Sequence, residues 1–257
     1  REVIMFDLSG LTLLSFEICC TCNLKRDHAE CPINKREYAD DRYRLDVDVI
    51  VDTIRRARKI GFKGMVSFHY YNEPLSQLDK ILKIMDLVPE QDFMVWTNAL
   101  LLDRDVKKNE FLKRFKHVCI TCYDLKDMPF FNALKEEYKN IEIYDWELDD
   151  RLDIYSSTKK NDLACKRPLF EIPIDYHGNI HLCCMDWNNQ FRVGNIFDTP
   201  IDGIVQSEQY QLLMKQSNKR LLEEGCPEIC RKCDKAWVSY PKYYEFGTNE
   251  CSCEQNV

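Results

Sequence analysis

The chain contains no apolar run approaching the roughly 18 residues of a membrane-spanning helix and no basic-then-apolar leader, so it reads as a soluble, cytoplasmic protein with no membrane partner. It also lacks a basic excess. Its 36 Lys and Arg face 43 Asp and Glu, a net charge of −7, which speaks against a nucleic-acid surface. No G-x-G-x-x-G turn occurs, which weakens a dinucleotide-binding Rossmann reading. Cysteine, by contrast, is abundant: 14 residues, 6 before Leu163 and 8 from Cys165 onward. A chain of 257 residues buries a core without cross-links, so clustered thiols point to metal or iron–sulfur chemistry rather than a disulfide framework.

Short strand-like runs alternate with longer runs of helical spacing. Leu13 to Ile18 reads as a strand. Val47, Ile50, Val51, Ile54 and Ala57 then recur near a 3.6 period behind Asp46 as cap and before Gly61 as stop. Gly64 to Tyr70 is the next strand, followed by a helix through Leu78, Ile81, Leu82 and Met85 that ends before Pro89. Phe93 to Thr97, Val118 to Cys122 and Ile141 to Tyr144 continue the strands. Val106, Phe111, Leu112 and Phe115 predict one intervening helix, and Leu134 and Tyr138 another. Strands joined by helices imply a parallel sheet with chemistry at the strands' C-terminal ends, and spacing alone allows a barrel or a doubly wound sheet.

The strand ends carry the informative residues. Glu17 to Cys31 reads E-I-C-C-T-C-N-L-K-R-D-H-A-E-C and places Cys19, Cys20, Cys22, His28 and Cys31 in one segment, with Cys22, His28 and Cys31 forming a feasible three-ligand arc. Beyond the second strand, Glu73 in Asn72-Glu73-Pro74-Leu75 suits either a ligand ammonium or the capping of backbone N–H groups. Thr97 and Asn98 offer hydrogen bonds to a cofactor or a helix cap. Arg151, after Trp146 and Asp149-Asp150, is a candidate carboxylate binder on a charged loop.

In the tail, Cys165 precedes a β-like Glu171 to Asp175, the turn His177-Gly178-Asn179, and Ile180 to Cys184, a hairpin signal that brings Cys165 and Cys183 together. Cys226, Cys230 and Cys233 follow in a C-x3-C-x2-C cluster. Cys165, Cys183, Cys230 and Cys233 make a four-thiolate site that suits zinc or one iron–sulfur cluster, and closing it would contribute folding energy to a small tail. Cys184, Cys226, Cys251 and Cys253 are surplus. Ile201 to Leu222 is predicted as one packing helix with Val205, Leu212 and Leu213 on its apolar side. The run Trp237, Tyr240, Tyr243, Tyr244 and Phe246 reads as core cover, since it lacks the basic interleaving of a single-strand platform.

Together these pieces resemble the radical S-adenosylmethionine (SAM) superfamily with a C-terminal twitch or SPASM-type auxiliary domain, over about residues 10 to 250. The marks are Cys165-x12-Gly178-x4-Cys183 with Cys230-x2-Cys233, then Glu17, Cys22-Asn23-Leu24, Asn72-Glu73-Pro74-Leu75, Thr97-Asn98 and Asp150-Arg151. The resemblance implies an α/β partial (β/α) barrel at residues 1–160 and a small cysteine-rich α+β auxiliary domain at 161–257. It implies a 4Fe-4S cluster in the tail and a second 4Fe-4S cluster with SAM in the barrel.

Family members hold the barrel cluster through C-x3-C-x2-C. Here Cys22 as the first cysteine leaves Arg26 and Ala29 in the other two places. A lengthened loop ending at Cys31-Pro32 keeps Cys22, Cys31 and one of His28, Cys19 or Cys20 as ligands. By resemblance, Glu73 meets the SAM amino group, Thr97 or Asn98 its sugar or methionyl part, and Arg151 its carboxylate or the substrate. The implied activity is a radical oxidoreductase or epimerase acting on a small polar, sugar-derived or peptide substrate, served by a reductase or flavodoxin-type donor. The alternatives are a degenerate member that keeps only the tail cluster for electron transfer or partner recognition, and a zinc-containing interaction protein.

Overall fold

A computed structural model of the chain describes residues 8–35, 45–145, 152–155, 165–219 and 227–233. The expectations for Trp146, Arg151, Cys226, the aromatic run from Trp237 and the terminal Cys251 and Cys253 fall outside them.

One mixed sheet organises these residues. Its strands are β1 (Leu13–Phe16), β2 (Met65–Ser67), β3 (Phe93–Thr97), β4 (His117–Cys122), β5 (Ile141–Asp145), β6 (Glu171–Ile174), β7 (Asn179–His181) and β8 (Arg192–Asn195), in the order β5-β4-β3-β2-β1-β6-β7-β8. The six strands from β5 to β6 run parallel, and β7 and β8 are antiparallel additions. This is the partial (β/α) barrel expected from the sequence, and the cysteine-rich tail extends it. Because β6 pairs with β1 from Leu13↔Glu171 to Phe16↔Ile174, the sheet runs without a break from the barrel into the auxiliary hairpin.

Helices cover the outer face. α1 (Val47–Lys59) buries Ile50, Val51, Ile54 and Ala57 and stops at Gly61, whose φ of +98° is open to glycine at little cost. α2 (Leu78–Leu87) buries Ile81, Ile84 and Met85, and α3 (Met128–Glu137) buries Phe131 and Leu134. These side chains pack in one core with Leu14, Phe16, Val66, Val95, Val118 and Ile120 of the strands and with Phe68 just past β2. Each fully buried aliphatic contributes about 1.5–3 kcal/mol relative to exposure. At Gly64, a Cβ would lie 2.3 Å from the Thr12 carbonyl oxygen, so only glycine lets the chain enter β2 so close to β1.

Two predicted helices take a different form. Val106–Arg114 is a run of 3-10 turns broken at Asn109 (φ −98°, ψ 30°). The buried Asn109 accepts from the Asp103 N–H and donates to the Asp103 carbonyl, replacing helical bonds with side-chain bonds. The single helix expected from Ile201 to Leu222 is two: α5 (Ile201–Gln206) and α6 (Glu208–Lys219), after α4 (Arg167–Phe170) and before α7 (Glu228–Lys232). Ser207 is extended, and its hydroxyl accepts from the Tyr210 N–H, capping the second helix. Val205 is buried as expected, but Leu212 is 52% exposed, and Tyr210 and Met214 form the inward side instead.

Candidate functional site

The C-terminal ends of β1, β2 and β3 converge on Glu73, which is 2% exposed. Its Oε1 accepts from the Leu75 N–H (3.0 Å) and the Thr97 hydroxyl (2.6 Å), and its Oε2 accepts from the Asn98 N–H (2.9 Å). Burial raises its pKa, against the three donors. Both oxygens therefore cap backbone and tie β2 to β3, the capping role foreseen as one of two. Thr97 in turn accepts from the Ala99 N–H, in a turn where buried Ala99 takes a φ of +57°, an uncommon conformation for a residue with a Cβ.

The front cysteine segment lies against this turn. Asn98 exchanges side-chain hydrogen bonds with Asn23 (2.8 and 3.2 Å), and the Asn98 amide points to the Cys22 thiol at 4.0 Å. Burial pushes the Cys22 thiol up to about 11. The Leu24 N–H opposes this, while Glu73, Cys31 and Cys19 add repulsion. The structure thus brings Cys19 and Cys31 into electrostatic range of Cys22. The His28 ring instead sits 6.0 Å from that of Tyr123, beyond the end of β4.

Tyr70 and Tyr71 join this group to the tail. They pack with Ile33 against Cys22, Cys31, Cys184 and Trp187, and the Tyr71 hydroxyl donates to the Cys184 carbonyl. In the tail, burial raises the Cys183 thiol well above the usual range; Cys184 and Cys233 add to this and Arg167 opposes it. Arg167 also donates to the Cys184 thiol, so surplus Cys184 faces a guanidinium. Cys230 and Cys233 are buried on α7 and at its end, and Cys165 lies two residues before α4. His181, two residues before Cys183, directs Nε2 to Asp175 Oδ2 (2.9 Å) and Nδ1 to the Asp186 carbonyl (2.8 Å). Held at both nitrogens, the ring fixes the loop that carries the cysteines.

A further set escaped sequence reading. Strand register places Ser15, Ser67, Trp96, His117, Thr121, Glu142, Tyr144 and Glu171 on the inner face of the sheet, and the His69 ring, just past β2, lies 5.6 Å from that of Trp96. Leu13, Met65, Met94 and Cys119 close its floor, with Trp96 and Tyr144 packed on them. Trp96 Nε1 donates to Thr121 (2.6 Å), Tyr144 donates to Glu142 (2.5 Å), Ser15 donates to Glu171 (3.0 Å), and Ser67 pairs with His69. His117 lies 3.7 Å from Glu142; its burial lowers its pKa and the carboxylate opposes this. The signal available was polarity at every second position of strands otherwise apolar.

A parallel partial barrel, thiols gathered where its strands end and a cysteine-rich hairpin joined to its first strand make up the candidate site. Residues 165–234 match the SPASM iron–sulfur cluster-binding domain. It is similar to S-adenosyl-L-methionine-dependent 2-deoxy-scyllo-inosamine dehydrogenase of Niallia circulans, at 22% identity over 91% of this chain and 97% of that one. It also superimposes on the crystal structure of BtrN in complex with AdoMet and 2-DOIA, with TM-score 0.70, 18% identity and coverage of 91% and 97%. For anSMEcpe with bound AdoMet the TM-score is 0.55, the identity 14% and the coverage 88% and 83%. Among the described residues, no helix is long and apolar enough to cross a membrane, and no three His, Cys, Asp or Glu side chains are placed to hold a single metal ion.

Proposed function

We propose that this chain is a SAM-dependent iron–sulfur enzyme that oxidises a small polar, sugar-derived substrate. The carrying observation is the convergence at one end of the sheet of Cys19, Cys22 and Cys31 with the Glu73–Thr97–Asn98 turn, joined through Tyr71 to the Cys183–Cys184 loop. The dehydrogenase similarity and the fold shared with an AdoMet-bound protein support it.

The donors fit the implied groups. In the tail, Cys165, Cys183, Cys230 and Cys233 would hold a 4Fe-4S cluster: they are soft donors, and Cys183 and Cys233 interact electrostatically. In front, Cys22 and Cys31 would ligate a second cluster with Cys19 as third thiol, in preference to His28, whose ring lies by Tyr123. Once bound, such a cluster with SAM supplies one-electron reduction and hydrogen-atom abstraction. This chain's part is positional. Glu73 holds the β2 and β3 ends together, Thr97 sets the left-handed turn at Ala99, and Asn98 fixes the segment that presents Cys22. With both Glu73 oxygens engaged, the Asn98 side chain and the strand-end backbone would contact SAM, and Arg151 would meet a carboxylate of SAM or substrate.

The test is anaerobic iron and sulfide analysis with a SAM-cleavage assay under strong reductant. The intact chain is expected to hold about eight irons and release 5'-deoxyadenosine, and a Cys19/Cys22/Cys31→Ala triple variant about four irons with no release. An intact chain holding about four irons, releasing no product and unchanged by the triple substitution is instead a tail-cluster module for electron transfer or partner recognition. Zinc without acid-labile sulfide overturns both.

A further inference from the structure

Cys19 lies just past β1 and is 6% exposed, and polar groups from its own segment and from the residues beyond β2 ring its Sγ. Asn72 Nδ2 donates to the sulfur at 3.7 Å and the Thr21 hydroxyl at 3.5 Å, and Ser76 Oγ lies 3.4 Å away. The thiol itself donates toward the carbonyls of Thr21 (3.7 Å) and Glu73 (3.8 Å). These two sets of bonds are not equivalent. The Thr21 carbonyl already accepts from the Glu73 N–H (2.9 Å), and the Glu73 carbonyl from the Ser76 N–H (3.2 Å) and hydroxyl (2.8 Å). Removing the thiol proton therefore leaves neither carbonyl unsatisfied. The donors gain, because a hydrogen bond to a charged sulfur is stronger than one to a neutral thiol, and more so where water is excluded. The surroundings suit a sulfur that has given up its proton, as a metal ligand has. The direction of the Asn72 amide is fixed by its other bonds. Its Oδ1 accepts from the Tyr70 N–H (3.0 Å) and its Nδ2 also donates to the Phe68 carbonyl (3.2 Å), and a flip would break both. Cys22 is treated alike: the Leu24 N–H donates to its Sγ at 3.4 Å, and Asn98, whose Oδ1 accepts from the Leu100 N–H (3.1 Å), directs Nδ2 toward it.

We propose that Asn72 and Thr21 set the reduction potential of the front cluster: their N–H and O–H donors hold the charge that an added electron places on the Cys19 sulfur, and so make the cluster easier to reduce. Ligand sulfurs carry part of that charge, so each donor favours the reduced form over the oxidised one. Reduction adds one electron and no proton. The electron comes from an external one-electron reductant, dithionite in the test below, and no bond to iron forms or breaks. Asn72 and Thr21 are positioning residues that act through Cys19. The inference rests on the functional reading for Cys19 as a ligand and goes beyond it in naming the residues that tune the cluster.

The test is a dithionite redox titration of the anaerobically reconstituted full chain, followed by electron paramagnetic resonance. The front signal is the one lost in the Cys19/Cys22/Cys31→Ala variant. Thr21→Val keeps the shape of an exposed side chain and removes only its hydroxyl, and Asn72→Ser keeps an oxygen for the Tyr70 N–H while removing the amide. Each should lower the ratio of reduced to oxidised front cluster at a fixed potential about three- to tenfold, a shift of about 30–60 mV to lower potential for one electron. Thr21→Ser keeps the hydroxyl and should match the wild-type potential, and the tail signal should not move in any of the three. Thr21→Val carries the decision, since Asn72 also holds a turn. An unmoved or raised front potential in Thr21→Val, an equal drop in Thr21→Ser, or a matching shift of the tail signal overturns the proposal. If the front signal and 5'-deoxyadenosine both form but the potential does not move, the tuning role alone fails. About four irons with no front signal overturns the functional reading, and the proposal with it.

Discussion

Glu73 offers the sharpest test of how the candidate site is held. Glu73→Ala strands three donors at once: the N–H groups of Leu75 and Asn98 and the hydroxyl of Thr97. An unsatisfied buried donor costs about 1–3 kcal/mol, and the rotatable Thr97 hydroxyl sits at the low end because it can turn elsewhere. Part of that sum is returned, since burying the carboxylate is itself unfavourable, as its raised pKa shows. The net loss expected is about 2–4 kcal/mol, or roughly 5–15 °C in melting temperature for a chain of this size.

Glu73→Gln keeps one oxygen for Thr97 and Leu75 but turns an NH2 toward the Asn98 N–H, so about half that loss is expected. The sign with pH follows from linkage. A carboxyl whose folded pKa lies above its ordinary 4.5 holds its proton longer when folded, so the wild type loses stability as pH rises from 4.5 through the folded value. Glutamine does not titrate, so the gap between wild type and Glu73→Gln should narrow over that window. Differential scanning fluorimetry on anaerobic protein from about pH 4 to 8 reads both effects. A Glu73→Ala melt within about 2 °C of wild type, or a gap that widens with pH, refutes the reasoning.

Gly64→Ala drives a Cβ onto the Thr12 carbonyl oxygen and should cost about 1–3 kcal/mol or more, seen as a lower urea midpoint, whereas an unchanged midpoint contradicts the close approach of β1 and β2. In metal-free, reduced protein, Cys22 alkylation by iodoacetamide should rise about tenfold per pH unit between about pH 8 and 10, because burial places its thiol near 11; peptide mapping that shows a plateau below about pH 9 rules this out. Asp175→Asn removes the partner of a buried imidazole and should destabilise by about 3–5 kcal/mol, with iron per chain falling as the Cys183 loop loosens. Retention of full iron and stability would show that the His181 pairing does not hold that loop.

The legible features were those whose cause is local. α1 follows from a 3.6 period between Asp46 and Gly61, and the β6–β7 hairpin from Gly178, whose φ of +78° and contact with Phe197 exclude a side chain. What stayed hidden depends on partners distant in sequence. Capping was one of two readings for Glu73, and its partners, Thr97 and Asn98, which arrive 24 and 25 residues later, were not legible. Asn109 and Ser207 broke predicted helices because their side chains took over backbone bonds, a competition that apolar spacing does not register. The inner-face set was obscured because each short strand carries only one or two of its residues, too few to mark a shared face. Trp96 and Tyr144 sit 48 positions apart, and only the pairing of β3 with β4 and β4 with β5 sets them on one side.

The pairing of β6 with β1 has a consequence for how the molecule can be divided. Four residue pairs of parallel ladder, Leu13↔Glu171 to Phe16↔Ile174, run between the barrel's first strand and the first strand of the tail. A fragment cut before β6 would bare the backbone groups of β1 along that edge, on a strand buried throughout, and so create an adhesive surface where the native chain has none. The two cysteine groups are therefore not modules on a tether. Their separation is ruled by the pitch of a single hydrogen-bonded ladder, which a change in the loops leading into it can reroute but not stretch.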